Sequence, residues 1–415
     1  MRVLMWEHFA PGGPIRVGGH HFAQRFAAAG DRVAWCTGPL APWNLLGGNA
    51  EIRARRALWR SAGRTTDEGV FAYAPLTLLP HRRRPLLDSA GVQRRTLVAT
   101  WPDVRSVLAQ AGFETVDLLF MEPGAPLLAL LDAYPRARAV YRMCDDTAAF
   151  EDTPRSFAAI ESETMSRVDL VVATAKRLAA RAADRGARRV LYLPNACEPE
   201  RFASPGVRPD ARIAALPGPR AIYAGAIEAW FDRELLAGLA RRMPHWSFVL
   251  VGPLRGGAGA LAGIPNVHLA GPRPYEELPS CLATADAALL PFRPSPMTHA
   301  IHPIKVYEYL AAGLPVISAP LEETRAMGAP IRFAADAAEF AAALRDVEAA
   351  AATGDAADRA QRRTFARHHS WDERFATLRD ALASPDVPDA PDGADSSPRC
   401  GESVAAGLRA AGEAR

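Results

Sequence analysis

The sequence predicts a parallel α/β protein of two lobes, and three observations carry that prediction. Apolar runs of strand length alternate with helix-period stretches along most of the chain. The alternation restarts after a polar, proline-bearing stretch near residue 200. The 415 residues exceed the ~100–200 of one domain, so two or three domains are expected.

The first lobe, expected over residues 1–198, opens with an apolar strand over 2–9 and a glycine-rich loop over 11–19. A helix pattern over 20–29 and a second strand over 32–37 complete a β-loop-α-β start. Further strand-like runs lie at 116–121, 139–144, 170–173 and 190–193. The stretch CEPERFASPGVRPD then marks a linker. The second lobe, expected over 199–365, has strand-like runs at 221–223, 248–251, 267–269, 287–290 and 315–318. The segment SWDERFATLRDAL reads as a closing helix within 366–383 that crosses back to the first lobe. Residues 384–415 have little to bury and are expected to be a disordered tail, with a short helical patch near 404–411.

Charge excludes one class of partner and singles out one residue. The 49 basic and 46 acidic residues give a net charge of +3, too small to argue for nucleic-acid binding. Only Lys176 and Lys305 are lysines; the other basic residues are arginines. An arginine-biased composition makes each arginine weakly informative and a retained lysine more so. The five cysteines have no zinc-like spacing and no clustered histidine partner, so neither a metal site nor a disulfide framework is expected. No run reaches the ~20 apolar residues of a membrane span, and the N-terminal stretch is too polar for a signal peptide. A cytoplasmic location is the expectation.

Several first-lobe residues are candidates for chemistry. Gly18 and Gly19 precede a helix, where backbone N–H groups attract phosphate, so the loop is a candidate to touch a donor phosphate or an acceptor; the other reading is a flexible turn. The spacing is not GxGxxG, and Glu7 and His8 stand where a dinucleotide site needs small residues. Asp145 and Asp146 follow a strand at the edge where α/β lobes bind ligands. One of them could deprotonate an acceptor hydroxyl, or Asp146 could cap a helix. Glu122 is a further candidate by the same edge argument. His8, His20 and His21 read more readily as structural.

Residues 51–105 hold eleven arginines against five acidic residues, interleaved with Trp59, Phe71, Tyr73, Leu78 and Trp101. Such mixing suits an anionic membrane surface or a lipid-diphosphate acceptor; a solvated helix face is the plain alternative.

The block ADAALLPFRPSPMTHAIHPIKVYEYLAAGLPVIS at 285–318 resembles the donor-site signature of GT-B glycosyltransferases of the GT4 type, in the branch of teichuronic-acid and exopolysaccharide transferases. CDDTAAF, VDLVVATAKRLAARA, LPNACEPERF, YAGAIEAWFD and NVHLAGPRPYEELP support it in the expected order. The resemblance implies a GT-B fold of two Rossmann-like lobes. It also implies transfer of a hexosyl or hexuronosyl group to a saccharide or lipid-linked hydroxyl in polysaccharide or glycoconjugate biosynthesis. The donor would be a UDP- or GDP-linked sugar, with no metal and no further cofactor. Lys305 would neutralise the leaving diphosphate and Glu308, one helical turn on, would anchor the ribose. Gly225 would let the backbone approach the donor, Glu228 would lie beside it, and Arg273 or its neighbours would flank the base. A first-lobe aspartate, Asp145 or Asp146, would serve as base, as in a resembling glucuronosyltransferase group.

Two departures from the wider family stand out. Its first glutamate, separated from the ribose glutamate by seven residues, would fall at Ala300, with Thr298, His299 and His302 nearby instead. The arginine that often follows the first strand of the second lobe is absent. An epimerase or phosphorylase on the same fold, or a non-catalytic sugar-nucleotide-binding protein, therefore remain alternatives to a transferase.

Overall fold

The computed structural model describes residues 1–12, 16–150, 152–204 and 206–384. The strands are apolar almost throughout because helices cover both faces of each sheet. Along β1 (Arg2–Glu7), Leu4 and Trp6 enter one core while Val3 and Met5 enter another on the opposite face.

Eight strands build the first sheet: β1, β2 (Arg32–Thr37), β3 (Arg64–Thr65), β4 (Phe71–Tyr73), β5 (Leu118–Met121), β6 (Arg138–Met143), β7 (Leu170–Ala173) and β8 (Val190–Tyr192). Their order is β3-β4-β2-β1-β5-β6-β7-β8, parallel except for the β3–β4 pair. Six more form the second sheet: β9 (Arg220–Ala224), β10 (Ser247–Val251), β11 (Val267–Gly271), β12 (Ala287–Leu290), β13 (Val316–Ser318) and β14 (Ile331–Phe333). Their order, β11-β10-β9-β12-β13-β14, is the doubly wound order, reversing direction between β9 and β12. The first sheet reverses likewise between β1 and β5.

Four helices position the site: α1 (Gly18–Ala28), α2 (Ile304–Ala312), α3 (Ala356–Arg367) and α4 (Trp371–Ala383). Helix α2 ends on Gly313 at φ +85°, a left-handed turn that glycine adopts without strain. Arg362 of α3 donates to the Gly313 carbonyl at 2.8 Å, so α3 is fastened to α2. Helix α4 begins with Ser370 capping Glu373 N–H and packs on the first lobe. Trp371 stacks on His21 at 4.7 Å, and Arg25 and Arg379 pair with Asp372 and Asp31 at 2.8 Å.

The chain thus passes from first lobe to second near residue 197 and returns near residue 370. These two passes pair with each other: Cys197 N–H donates to the His369 carbonyl at 3.2 Å, and Trp371 N–H donates to the Cys197 carbonyl at 3.1 Å.

Three strands go beyond the sequence-based expectation. β3 and β14 are two and three residues long, and β4 lies inside the arginine-rich stretch, so none carries a resolvable period. The second lobe keeps α3 through Arg367, and the return to the first lobe begins a few residues later than expected. The expected disordered tail lies, beyond Ser384, outside the described residues, as does Gly13 of the glycine-rich loop.

Candidate active site

In doubly wound sheets ligands bind beyond the carboxyl ends of the strands where the order reverses. In the second lobe that place is set by Gly225, just after β9, and by Phe292, two residues after β12. Lys305, on the first turn of α2, projects into it: its ammonium stands 5.7 Å from the ring centroids of both Tyr223 and Phe292. The electron-rich ring faces hold a cation there without neutralising it.

Gly225 makes this seat possible. A β-carbon there would stand 2.7 Å from Lys305 Cε and 2.9 Å from the Tyr223 hydroxyl. The sequence suggests that this glycine admits the donor; the structure shows it admitting the lysine. Glu308 lies one turn along α2, buried, and its carboxyl is pushed up to about 7 by burial, with Lys305 opposing and Glu198 reinforcing the rise. Burial lowers the Lys305 pKa, against the pull of Glu308 and of Asp145 from the other lobe.

The two aspartates after β6 separate. The strand ends at Met143, and the chain turns into a single helical turn at Thr147–Ala149 rather than alternating onward. Asp146 turns away and pairs with Arg181, which also reaches the buried Glu161 at 3.4 Å. It makes no side-chain cap to the following turn. Asp145 instead lies within electrostatic reach of Lys305 of the other lobe, and burial and the nearby Glu122 charge push its carboxyl up to about 6 while Arg142 and Lys305 oppose the rise. Of the two aspartates predicted as alternatives, Asp145 alone faces the donor-lobe lysine.

Gly18 and Gly19 open α1, but their small size has a different use from the one expected. A β-carbon at Gly19 would overlap the Glu7 carboxyl, and one at Gly18 would overlap the Arg142 guanidinium. Glu7 ends β1, Glu122 follows β5 and Arg142 lies in β6, so three adjacent central strands bring these charges together. Arg142 donates to Glu122 and, at 2.8 Å, to Asn195 Oδ1. Asn195 Nδ2 in turn donates to the His302 carbonyl of the second lobe at 2.7 Å. Sequence reasoning did not single out Glu7, Arg142 or Asn195 as site residues. The available signal was a charged residue interrupting each of the apolar runs VLMWEH and AVYRMC.

The remaining candidates lie at the margins. Glu228 pairs with Arg255 at 3.2 Å on the loops after β9 and β10. Arg273, after β11, lies 3.8 Å from both Asp210 and Glu277, beside a groove of about 510 Å³ lined by Pro272, Pro274 and Arg212. His20 is buried, and desolvation lowers it to about 4. His8 falls to about 4 through burial and the arginines Arg55, Arg82 and Arg255. His21 packs between Trp371 and Tyr275. Ala300, near where the wider family has its first glutamate, is buried in the first-lobe core and Thr298 is fully buried. His302 stacks on Tyr307. Among the described residues no group of three or more His, Cys, Asp or Glu is arranged to hold a metal ion.

Known proteins share both lobes of this arrangement. Residues 5–174 match the model of the N-terminal domain of the glucuronosyltransferase GumK, and residues 228–380 match a glycosyl transferase-like model. A putative teichuronic acid biosynthesis glycosyltransferase, TuaH of Bacillus subtilis (strain 168), is 28% identical over 299 residues, which is 65% of this chain and 72% of the relative. Among solved structures, sucrose-phosphate synthase from Thermosynechococcus elongatus superposes with a TM-score of 0.67 at 15% identity, over 92% of this chain and 98% of that one. HepE of Anabaena, in complex with UDP and glucose, gives 0.62 at 14% identity, over 92% and 100%. One family model in each lobe, on two doubly wound sheets, identifies the chain as a GT-B glycosyltransferase related to the GT4 and GumK-like enzymes, which moves a sugar from a nucleoside diphosphate sugar to an acceptor.

Proposed function

We infer that the second lobe binds a UDP- or GDP-linked hexose or hexuronic acid and that the first lobe presents a saccharide or lipid-linked hydroxyl to it. The observation that carries this reading is that Lys305 and Asp145, from opposite lobes, lie within electrostatic reach of one another. Asp145 takes the proton of the acceptor hydroxyl as its oxygen bonds to the anomeric carbon. The bond from that carbon to the diphosphate breaks, and the departing charge is met by Lys305. Attack and departure on opposite faces of the sugar invert the anomeric centre. Glu308 accepts hydrogen bonds from the ribose hydroxyls, and Arg273 borders the base.

We propose the arginine-rich part of the first lobe as a membrane-facing surface of an enzyme working in the cytoplasm, on the inner face of the membrane. Trp43, Leu46 and Leu86 are exposed, and the Arg84 guanidinium stands 5.8 Å from the Trp43 ring centroid. Leu78, Val98 and Trp101 are exposed nearby in sequence. Several other arginines of the stretch are occupied internally, such as Arg55 with Glu51 and Arg94 with Asp132. No helix among the described residues is long and apolar enough to cross a membrane.

The test of the donor reading is a panel of nucleotide sugars scored for nucleotide release, with product configuration read by NMR. One donor should be turned over by the native enzyme and hardly at all by Lys305→Ala. Equal release by both proteins would refute the assignment of Lys305. Flotation with vesicles tests the surface: binding that does not depend on anionic lipid would remove it.

A further inference from the structure

Two carboxyl groups and one guanidinium are buried together beneath the first turn of α1. Glu7 is 0% exposed, Glu122 6% and Arg142 2%. Neither Glu7 oxygen has a hydrogen-bond partner in the protein, and burial together with the neighbouring Glu122 carboxyl holds the Glu7 carboxyl well above the usual carboxylate range. Two adjoining carboxylates in a dry site do not both ionise, and Arg142 supplies one positive charge, enough for one of them. One proton between Glu7 and Glu122 makes the group neutral and supplies the missing donor. Of the two, Glu122 takes the Arg142 hydrogen bond and is the anion; Glu7 keeps the proton.

The group also has a direction. Arg142 lies three residues before Asp145. Its other arm holds Asn195, which holds the carbonyl of His302, three residues before Lys305. A single buried line therefore runs from the floor of the first lobe to the start of α2.

We propose that Glu7 is a permanently protonated acid donating to Glu122, and that Glu7, Glu122, Arg142 and Asn195 are positioning residues forming one strut that sets Asp145 against Lys305. The charged and titratable groups facing the Glu7–Glu122 pair are Arg142, Cys144, Asp145, His8 and His20. Those facing Asp145 are Glu122, Arg142, Cys144, Asp146 and Lys305. The proposal rests on the roles given above to Asp145 and Lys305.

The full chain tests it in three variants. Glu7→Gln replaces the protonated acid by an isosteric donor, so kcat and KM should stay close to native values. Infrared difference spectra in mildly alkaline buffer, where Asp145 and Glu308 are ionised, should show a protonated carboxyl band in the native protein that Glu7→Gln removes. Glu122→Gln removes a negative neighbour of Asp145, and the acid limb of kcat/KM should move down by about one pH unit. Asn195→Ala frees the second lobe from the strut; kcat should fall roughly ten- to a hundred-fold while calorimetric affinity for the nucleotide diphosphate is kept.

Absence of the carboxyl band, or a folded but inactive Glu7→Gln, would overturn the protonated acid. An unmoved acid limb in Glu122→Gln, or native kcat in Asn195→Ala, would overturn the strut. If transfer survives Asp145→Asn, the reading of Asp145 as base fails instead, and the infrared result stands apart from it.

Discussion

Gly225 and Lys305 are mutually fitted: the lysine side chain fills the volume that any β-carbon at position 225 would need. Gly225→Ala should therefore leave the second lobe folded but displace the ammonium from between Tyr223 and Phe292. The expected result is a fall of roughly a hundred-fold in donor turnover, with a small change in thermal midpoint, checked by steady-state kinetics and calorimetry.

Lys305→Arg tests whether the seat accepts only a compact cation. Guanidinium is planar and broad where ammonium is a point charge. The two rings and the backbone at Gly225 leave room for the latter. Charge is retained, yet kcat should drop on the order of ten- to a hundred-fold; native turnover would show that any cation serves.

Asp145 must be ionised to accept a proton. With its carboxyl raised to about 6 by burial and by Glu122, kcat/KM of the native enzyme should rise with pH through that value and level off above it. Asp145→Asn should remove both the limb and most of the activity, a loss of roughly a hundred- to ten-thousand-fold. A limb persisting unchanged in Asp145→Asn would assign it to another group.

Glu308 holds its proton in the fold up to about pH 7, whereas an unfolded glutamate releases it near 4.3. Between those values the native state binds the extra proton, so stability falls as pH rises, and the whole penalty is present above 7. Glu308→Gln cannot ionise. Relative to the native protein, its stability should therefore rise as pH increases from about 4 to above 7, read by chemical denaturation across that range. Donor affinity should fall at the same time, a stability gain bought from function.

Gly19→Ala should be far more harmful than an alanine at an ordinary helix position. Alanine favours helix, but here its methyl overlaps the Glu7 carboxyl. A loss of about 1–3 kcal/mol by chemical denaturation is expected, against a small gain if the glycine served only as a flexible turn.

The sequence made the second-lobe site more legible than the first. Lys305 and Glu308 sit in one short motif on one helix, so their spacing alone puts them on one face. The Glu7 strut joins residues 7, 122, 142 and 195, which meet only once β1, β5 and β6 lie side by side and Arg142 reaches Asn195. No local period encodes that meeting. Gly18 and Gly19 were visible as unusual, but a glycine that gives room to a distant carboxyl looks in sequence like one that gives room to phosphate. Asp145 and Asp146 could be separated only by seeing where β6 stops and that Arg181 takes one of them. Strand β4 was hidden among arginines whose charge dominated the reading of 51–105.

The pairing of the two crossings, at Cys197 and Ser370, bears on how the lobes can move. A single connecting strand is a swivel, free to twist as well as bend. Two strands laid side by side and hydrogen-bonded to each other behave as a strap hinge: bending about the line across them is easy, while rotation about their length shears their bonds. Any opening of the cleft would therefore be guided along one arc, bringing the same faces back to each other without a search over orientations.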